Sequence, residues 1–213
     1  MIAYAIEVAM KASLFDRVIV STDCDTIAEL ALRYGAEVPF QRPSALSGDH
    51  VATQPVIKHA IETLNLKPRA DVSEVAVCCI YPSVPFLNQD DLRSSYRRLQ
   101  SSAQTGFVFS VTTFDYPVYR ALQMEDPAGG PISLIYPQYE MKRSQDLPET
   151  WHDAGQYYWG RASAWCDDKP IFSAQSIGQP MPRYRAIDID TPEDWRHAEL
   201  LYRSMQLDRD VDV

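Results

Sequence analysis

The sequence predicts an α/β domain with a mostly parallel sheet and helices on both faces. Three observations carry this expectation. Short β-branched runs alternate with segments whose apolar residues recur at helical spacing. Glu74 to Tyr81 (Glu-Val-Ala-Val-Cys-Cys-Ile-Tyr) is apolar on both faces, the pattern of a central strand in a parallel sheet. The 213 residues suit one domain, 1–213, with a sizeable core.

Ile2, Ala5, Ile6, Ala9 and Met10 repeat at helical spacing and predict an amphipathic helix over 2–13. Arg17 to Ser21 reads as a short buried strand. Thr22-Asp23-Cys24-Asp25 then offers capping side chains for a helix over 26–34, with Gly35 as its stop. Ala36 to Phe40 reads as a second short strand, 41–50 as a loop, and about 52–66 as a helix. Pro82 and Pro85 end the central strand, and Asn88 can cap a helix running to about Ala103. Phe107 to Thr113 is another strand. Residues 114–152 contain Pro117, Pro127, Pro131, Pro137 and Pro148 and read as irregular; so long a stretch is either functional or an oligomerisation arm. Gly155 to Trp159 and Arg185 to Ile189 are late strands. Thr191-Pro192-Glu193-Asp194 opens the last helix with an N-cap threonine, proline at the first helical position and acids in the first turn. The tail from Asp208 is polar and expected to fray.

Composition narrows the function classes. Lys+Arg is 20 against Asp+Glu 29, a formal net charge of -9, which disfavours nucleic acid because phosphate contacts dominate that affinity. A nucleotide is still compatible, since metal ions and a few basic residues can handle its charge. No run of 18 apolar residues exists, so no membrane span is expected, and Met1 to Lys11 does not read as a secretory signal. Cys24, Cys78, Cys79 and Cys166 form no Cys-x-x-Cys, and neighbours on a strand point to opposite faces, so reduced thiols in a cytoplasmic protein are expected. Doubly wound nucleotide-binding domains normally open with a strand and a phosphate-binding turn. This chain opens on a helix, and with 8 glycines it has no Gly-rich loop.

Several segments carry groups capable of chemistry. If Arg185 to Ile189 is a strand, Asp188 and Asp190 share one face while Ile187 and Ile189 share the other. Two carboxylates at the C-terminal end of a strand stand where open α/β sheets bind ligands, and with phosphate oxygens they can hold Mg²⁺. Asp190 alone is explained by the turn into the last helix; Asp188 is not. Arg42, followed by Pro43, Ser47 and Asp49, lies in a loop after a strand, either as a phosphate ligand or as a solvated arginine. Tyr81-Pro82-Ser83 follows the central strand directly, at the same ligand-binding edge. Arg143-Ser144-Gln145-Asp146 and His152-Asp153-Ala154-Gly155-Gln156 add basic, amide and aromatic neighbours. A nucleophilic triad is disfavoured because no serine sits in a Gly-x-Ser-x-Gly turn. His50, His59, His152 and His197 lack metal-ligand spacing.

Taken together, these segments resemble the cytidylyltransferases that activate nonulosonic acids, the CMP-sialic acid synthetase family. The residues are Val18 to Asp23 with Ile27 to Glu29, Tyr34 to Pro39 with Arg42-Pro43, Arg143-x-Gln145-Asp146-x-Pro148 with Gly155 and Tyr158, and Ile187 to Asp194. The resemblance extends to about Met205. Sialate members carry Gln-Pro-Thr-Ser-Pro-Leu-Arg where this chain has Tyr81 to Leu87, and an asparagine where it has Ala154; His152 to Trp159 and Cys79 to Leu87 look like the pseudaminate branch instead.

The resemblance implies a Rossmann-like fold of the nucleotide-diphospho-sugar transferase type. It also implies a reaction of CTP with a nine-carbon sugar acid, pseudaminate, giving the CMP-sugar and pyrophosphate. It assigns Asp188 and Asp190 to Mg²⁺ and catalysis, and Arg42 and Ser83 to the nucleotide. Tyr81, Gln145, His152, Asp153 and Gln156 are assigned to the sugar pocket. An arm around 114–160 would make a homodimer. Family members begin with a strand and a basic, Gly-rich loop before a helix like Ile2 to Ser13. The first central strand is therefore expected to be absent from this chain, leaving the Val18 and Val75 strands with nothing between them. An N-terminally truncated, non-catalytic homologue that dimerises or binds a sugar acid, and a CMP-N-acetylneuraminate synthetase, are the rival readings.

Overall fold

The alternation of helical and extended patterns is preserved in the computed structural model, which describes residues 1–66 and 74–211, with side chains through 206. In chain order the elements are α1 (Ile2–Ala12), α2 (Asp25–Arg33), α3 (Thr53–Thr63), β1 (Ala76–Ile80), α4 (Gln89–Gln100) and β2 (Phe107–Thr113). They continue with β3 (Leu122–Met124), β4 (Ile132–Leu134), β5 (Trp151–Arg161), α5 (Ala162–Cys166), β6 (Ile177–Pro180) and α6 (Pro192–Val211). α6 continues through the polar tail as far as Val211.

Local chemistry accounts for most helix ends. Gly35, at φ +89°, closes α2: its N–H donates to the Leu32 carbonyl and the Ala36 N–H donates to Ala31. This paired bonding satisfies carbonyls that the helix end would leave open. The expected cap at the front of α2 is absent. Cys24 occupies the N-cap position without a side-chain bond, and Thr22 accepts from the Cys24 N–H instead. Asn88 and Asp91 form a reciprocal capping box on α4. Thr191 and Asp194 do the same for α6: Thr191 Oγ1 accepts from the Asp194 N–H at 3.2 Å, and Asp194 Oδ2 accepts from the Thr191 N–H at 2.8 Å. Arg93, on α4, donates to the carbonyls of Ala12 and Lys11 at 3.0 and 3.1 Å, a cation at the C-terminus of α1.

The sheet has the order β1-β5-β2-β6. β5 is antiparallel to both β1 and β2, and β6 is parallel to β2. Three of the four strands therefore run one way, with β5 reversed between them. Helices cover both faces, as expected. On one face Ala5 and Ala12 of α1 and Leu92 and Leu99 of α4 pack on Val108, Tyr157 and Trp159. On the other, Ile61 of α3 and Ala162, Ala164 and Trp165 of α5 pack on Cys79, Phe107, Phe109 and Tyr158. Cys78 and Cys79 divide between these faces, as strand alternation requires. Burial pushes the Cys79 thiol up to about 12 and also raises Cys78, so both remain protonated at neutral pH. Gly160 lets the rings close: a Cβ there would lie 2.6 Å from both Phe107 Cε1 and Trp165 Nε1.

Four expectations are corrected here. The runs Arg17 to Ser21 and Ala36 to Phe40 meet only in a single parallel bridge, Ile19 with Glu37. Val20 and Glu37 donate to Glu37 and Val18 carbonyls at 2.9 and 2.8 Å, and Pro39 has no N–H to extend the ladder. Among the described residues no strand lies between this bridge and β1, which forms a sheet edge. Arg185 to Ile189 is not a strand. Arg183–Arg185 is a 3₁₀ turn and 186–190 is unpaired; the edge strand beside β2 is β6, which sequence reasoning missed. The stretch 114–152 is not wholly irregular: β3 and β4 pair as a hairpin, and β5 begins at Trp151. The arm expected around 114–160 thus loses its last ten residues to the central sheet.

Candidate active site

Five of the nine residues singled out in the sequence converge near one end of β1 and β5. Ser83, in the turn after β1, donates from Oγ to Asp188 Oδ1 at 2.6 Å. Gly155, at φ +62° in β5, lies against the other carboxylate oxygen: a Cβ at this position would sit 3.2 Å from Asp188 Oδ2. The Gly155 N–H donates to Asp153 Oδ1 at 3.0 Å, and Asp153 Oδ2 accepts from the Tyr158 hydroxyl. Tyr158 is tilted against Tyr81, whose hydroxyl meets Thr53 Oγ1 at 2.7 Å. Gln156 completes the set from inside, donating from Nε2 to the carbonyls of Ala154 and Ile187.

Electrostatics follow from this packing. Desolvation raises the Asp188 pKa, the Ser83 hydroxyl partly offsets it, and repulsion from Asp190 adds to the rise. Asp190 itself is exposed, with its N–H bonded to Asp194 Oδ2 at 3.2 Å. Burial also raises the hydroxyls of Tyr81 and Tyr158, and the Asp153 carboxylate keeps the Tyr158 proton in place. Although 186–190 lacks strand pairing, its alternation persists. Ile187 and Ile189 join Phe86 and Ala198 in an apolar cluster, leaving Asp188 and Asp190 outside it.

The donor set of this pair suits a hard cation. Among the described residues no group of three or more His, Cys, Asp or Glu side chains could hold a metal. Two carboxylates alone leave most positions of an octahedral ion to water or phosphate oxygens, which is how Mg²⁺ is usually held beside a nucleotide.

Two of these five serve as internal ties, and Arg42, Gln145 and His152 fall elsewhere. Gln156 is fully buried, so it ties β5 to the Asp188 segment and does not present a surface to a sugar. Ser83 spends its hydroxyl on Asp188 and not on an open nucleotide site. Arg42 is half-buried, donating to Asp23 Oδ1 at 3.4 Å and Ser47 Oγ at 3.3 Å, with no bond to the Asp188 set. Gln145 is exposed in the 3₁₀ turn Ser144–Asp146, without a hydrogen bond to the set. His152 lines a neighbouring pocket of about 390 Å³ with Thr112, Phe114, Arg183 and Ala186. Its ring lies 4.6 Å from that of Phe114, and Arg183 pairs with Asp115 at 3.0 Å. Sequence reasoning passed over Thr53, Phe114 and Arg183, which carry no motif. Gly155 and Tyr158 were visible through their spacing.

Comparison with known proteins gives this geometry its context. Residues 1–201 match the family described as Cytidylyltransferase. The chain is 36% identical over 203 residues to the pseudaminic acid cytidylyltransferase of Campylobacter jejuni, covering 95% of this chain and 85% of that one. It is 25% identical to the N-acylneuraminate cytidylyltransferase of Escherichia coli, over 93% of this chain and 45% of that protein. In fold it is similar to a CMP:2-keto-3-deoxy-manno-octonic acid synthetase solved with CTP, at TM-score 0.62 and 12% identity, covering 96% and 88% of the two chains. It is likewise similar to the 4-diphosphocytidyl-2C-methyl-D-erythritol synthase of Anaerococcus prevotii, at TM-score 0.55 and 12% identity, over 93% and 88%. The expected nucleotide-diphospho-sugar transferase architecture is thus the one observed, and the chain belongs to the cytidylyltransferase family.

Proposed function

We propose that this cytidylyltransferase activates pseudaminic acid, using CTP to form the CMP-sugar and pyrophosphate. The observation that carries the substrate is the 36% identity to the Campylobacter jejuni enzyme across 95% of the chain. In the reaction the anomeric hydroxyl oxygen bonds to the α-phosphorus. The bond from that phosphorus to the bridging oxygen breaks, pyrophosphate leaves, and the hydroxyl proton passes to solvent or a nearby base. Asp188 and Asp190 would hold Mg²⁺, which supplies charge neutralisation at the phosphates when bound. Asp188, held by Ser83 and flanked by Gly155, presents a fixed carboxylate. Arg42 would face the nucleotide. Tyr81, Asp153 and His152 would orient the sugar acid, with its substituents entering the His152–Phe114–Arg183 pocket. CTP as co-substrate favours a cytoplasmic setting, and among the described residues no helix is long and apolar enough to cross a membrane.

The test measures pyrophosphate release with CTP and Mg²⁺ against pseudaminic and N-acetylneuraminic acids. The expected kcat/KM is about tenfold or more higher for pseudaminic acid, the range that pocket contacts supply. Equal values would overturn the substrate assignment.

We also propose that the chain works as a homodimer joined through the β3–β4 hairpin region. Leu122, Met124, Ile132 and Ile135 are exposed there, with Tyr116 84% and Met141 93% accessible. A two-stranded hairpin is marginal alone in water, and an apolar patch of this kind marks a protein contact. Gln145, exposed in the turn that follows the hairpin, would then reach across to the partner. Sedimentation is expected to give twice the 24.2 kDa chain mass, and Leu122→Asp with Ile132→Asp is expected to halve it. A parent chain that sediments as a monomer at micromolar concentration would overturn this.

A further inference from the structure

We propose that Ser83 is a positioning residue whose hydroxyl selects the one rotamer of Asp188 that can serve a divalent cation; this rests on the metal assignment above. The segment 186–190 has no backbone ladder to hold it. Its placement depends on side chains instead. Gln156 Nε2 holds the Ile187 carbonyl at 3.0 Å, and Ile187 and Ile189 anchor in the cluster with Phe86 and Ala198. Neither contact reaches the carboxylate of Asp188. Ser83 does, at 2.6 Å to Oδ1, and it is the one side chain among the described residues that donates to that carboxylate.

The opposite oxygen is constrained by shape. Gly155 presents only its backbone to Oδ2, in a conformation that side chains rarely adopt. Its N–H is fastened to Asp153, which is itself held by Tyr158. Ser83 thus holds one oxygen, while the Gly155 turn, lacking a Cβ, leaves room for the other. A hydroxyl spent on a carboxylate oxygen that it fixes, and not on solvent, is the arrangement by which outer partners tune metal ligands.

The experiment titrates Mn²⁺ alone into the full chain and reads the free ion by electron paramagnetic resonance. The chains compared are the parent, Ser83→Ala, Ser83→Thr and Asp188→Asn. Ser83→Ala is expected to raise the Mn²⁺ Kd about tenfold. Ser83→Thr, which keeps the hydroxyl, is expected to restore it to near the parent value. A purely structural Ser83 would leave the Kd unmoved while shifting the unfolding temperature. Unchanged Mn²⁺ binding in Ser83→Ala, with binding lost in Asp188→Asn, overturns the positioning assignment and leaves the metal site standing. Parent-like binding in Asp188→Asn overturns the metal site and the positioning assignment with it.

Discussion

Asp188→Ala is expected to slow pyrophosphate release at least about 100-fold, since loss of a metal ligand should exceed the loss of an outer partner. The same substitution is expected to leave folding intact. Asp188 stands outside the apolar cluster of its own segment, which Ile187, Ile189 and Gln156 hold without it. Its environment disfavours its charge, chiefly by desolvation. The sign follows. A carboxylate whose folded pKa is raised above its unfolded value binds a proton more readily in the folded state. It therefore contributes nothing adverse below the unfolded pKa and lowers stability once pH rises above the folded one. At pH 7 the alanine variant should unfold at or above the parent temperature while being nearly inactive. Steady-state kinetics and a thermal melt check both halves. A variant retaining parental kcat would remove Asp188 from the chemistry, and one that unfolds early would show that it stabilises the fold.

Asp91→Ala is expected to be the most damaging single change to stability, at about 3–5 kcal/mol. Asp91 accepts from Arg185 through both oxygens, at 2.5 and 3.0 Å, with side-chain exposures of 11% and 13%. It also closes the α4 capping box with Asn88. Removing it leaves a guanidinium nearly buried without its counter-charge and opens the first turn of α4. Urea unfolding measures the loss. Adding Arg185→Met to Asp91→Ala should recover part of it, because the orphaned charge is then gone. A loss under about 1 kcal/mol for Asp91→Ala, or no recovery in the double variant, would mean that solvent already compensates the pair. This ion pair matters to the site because Arg185 immediately precedes the unpaired segment bearing Asp188, and it fixes that segment's entry against α4.

How far the sequence could be read depended on the range of the interaction. Helix ends were legible where a single residue or a four-residue pattern decides them, as at Gly35, Asn88 and Thr191. The cap predicted from Thr22 to Asp25 failed because Thr22 satisfied a nearer N–H first. β1 was legible as a strand because both its faces are apolar, but among the described residues it stands at a sheet edge and pairs only with antiparallel β5, not at the centre of parallel neighbours as expected. β6 was not, because Ile177–Pro180 contains Gly178 and Pro180, and nothing local marks it as a strand. The run Arg185 to Ile189 was read as a strand from its alternation, but 186–190 is unpaired and β6 is the edge strand beside β2. The separation of Asp188 and Asp190 from Ile187 and Ile189 was nonetheless legible, because the alternation reflects burial, which outlasts the loss of the ladder. Gln156 misled for the opposite reason: a polar side chain beside a motif looks available for a ligand, and only packing shows that it is fully buried and bonded to Ala154 and Ile187.

By itself, then, the sequence determined an α/β domain, the positions of its main helices and of β1, β2 and most of β5, and the acidic pair near its C-terminal helix. These are set by periodicity and by contacts within a few residues. Only the tertiary structure decided that β5 runs against its neighbours, that Ser83 donates to Asp188 across 105 positions of chain, and that Gly155 leaves space beside that carboxylate. Such contacts join segments whose residues carry no mark of their partners. They exist because the sheet brings the turn after β1, the bend in β5 and the unpaired 186–190 segment to one place, and chain geometry at that distance is not encoded in any local pattern.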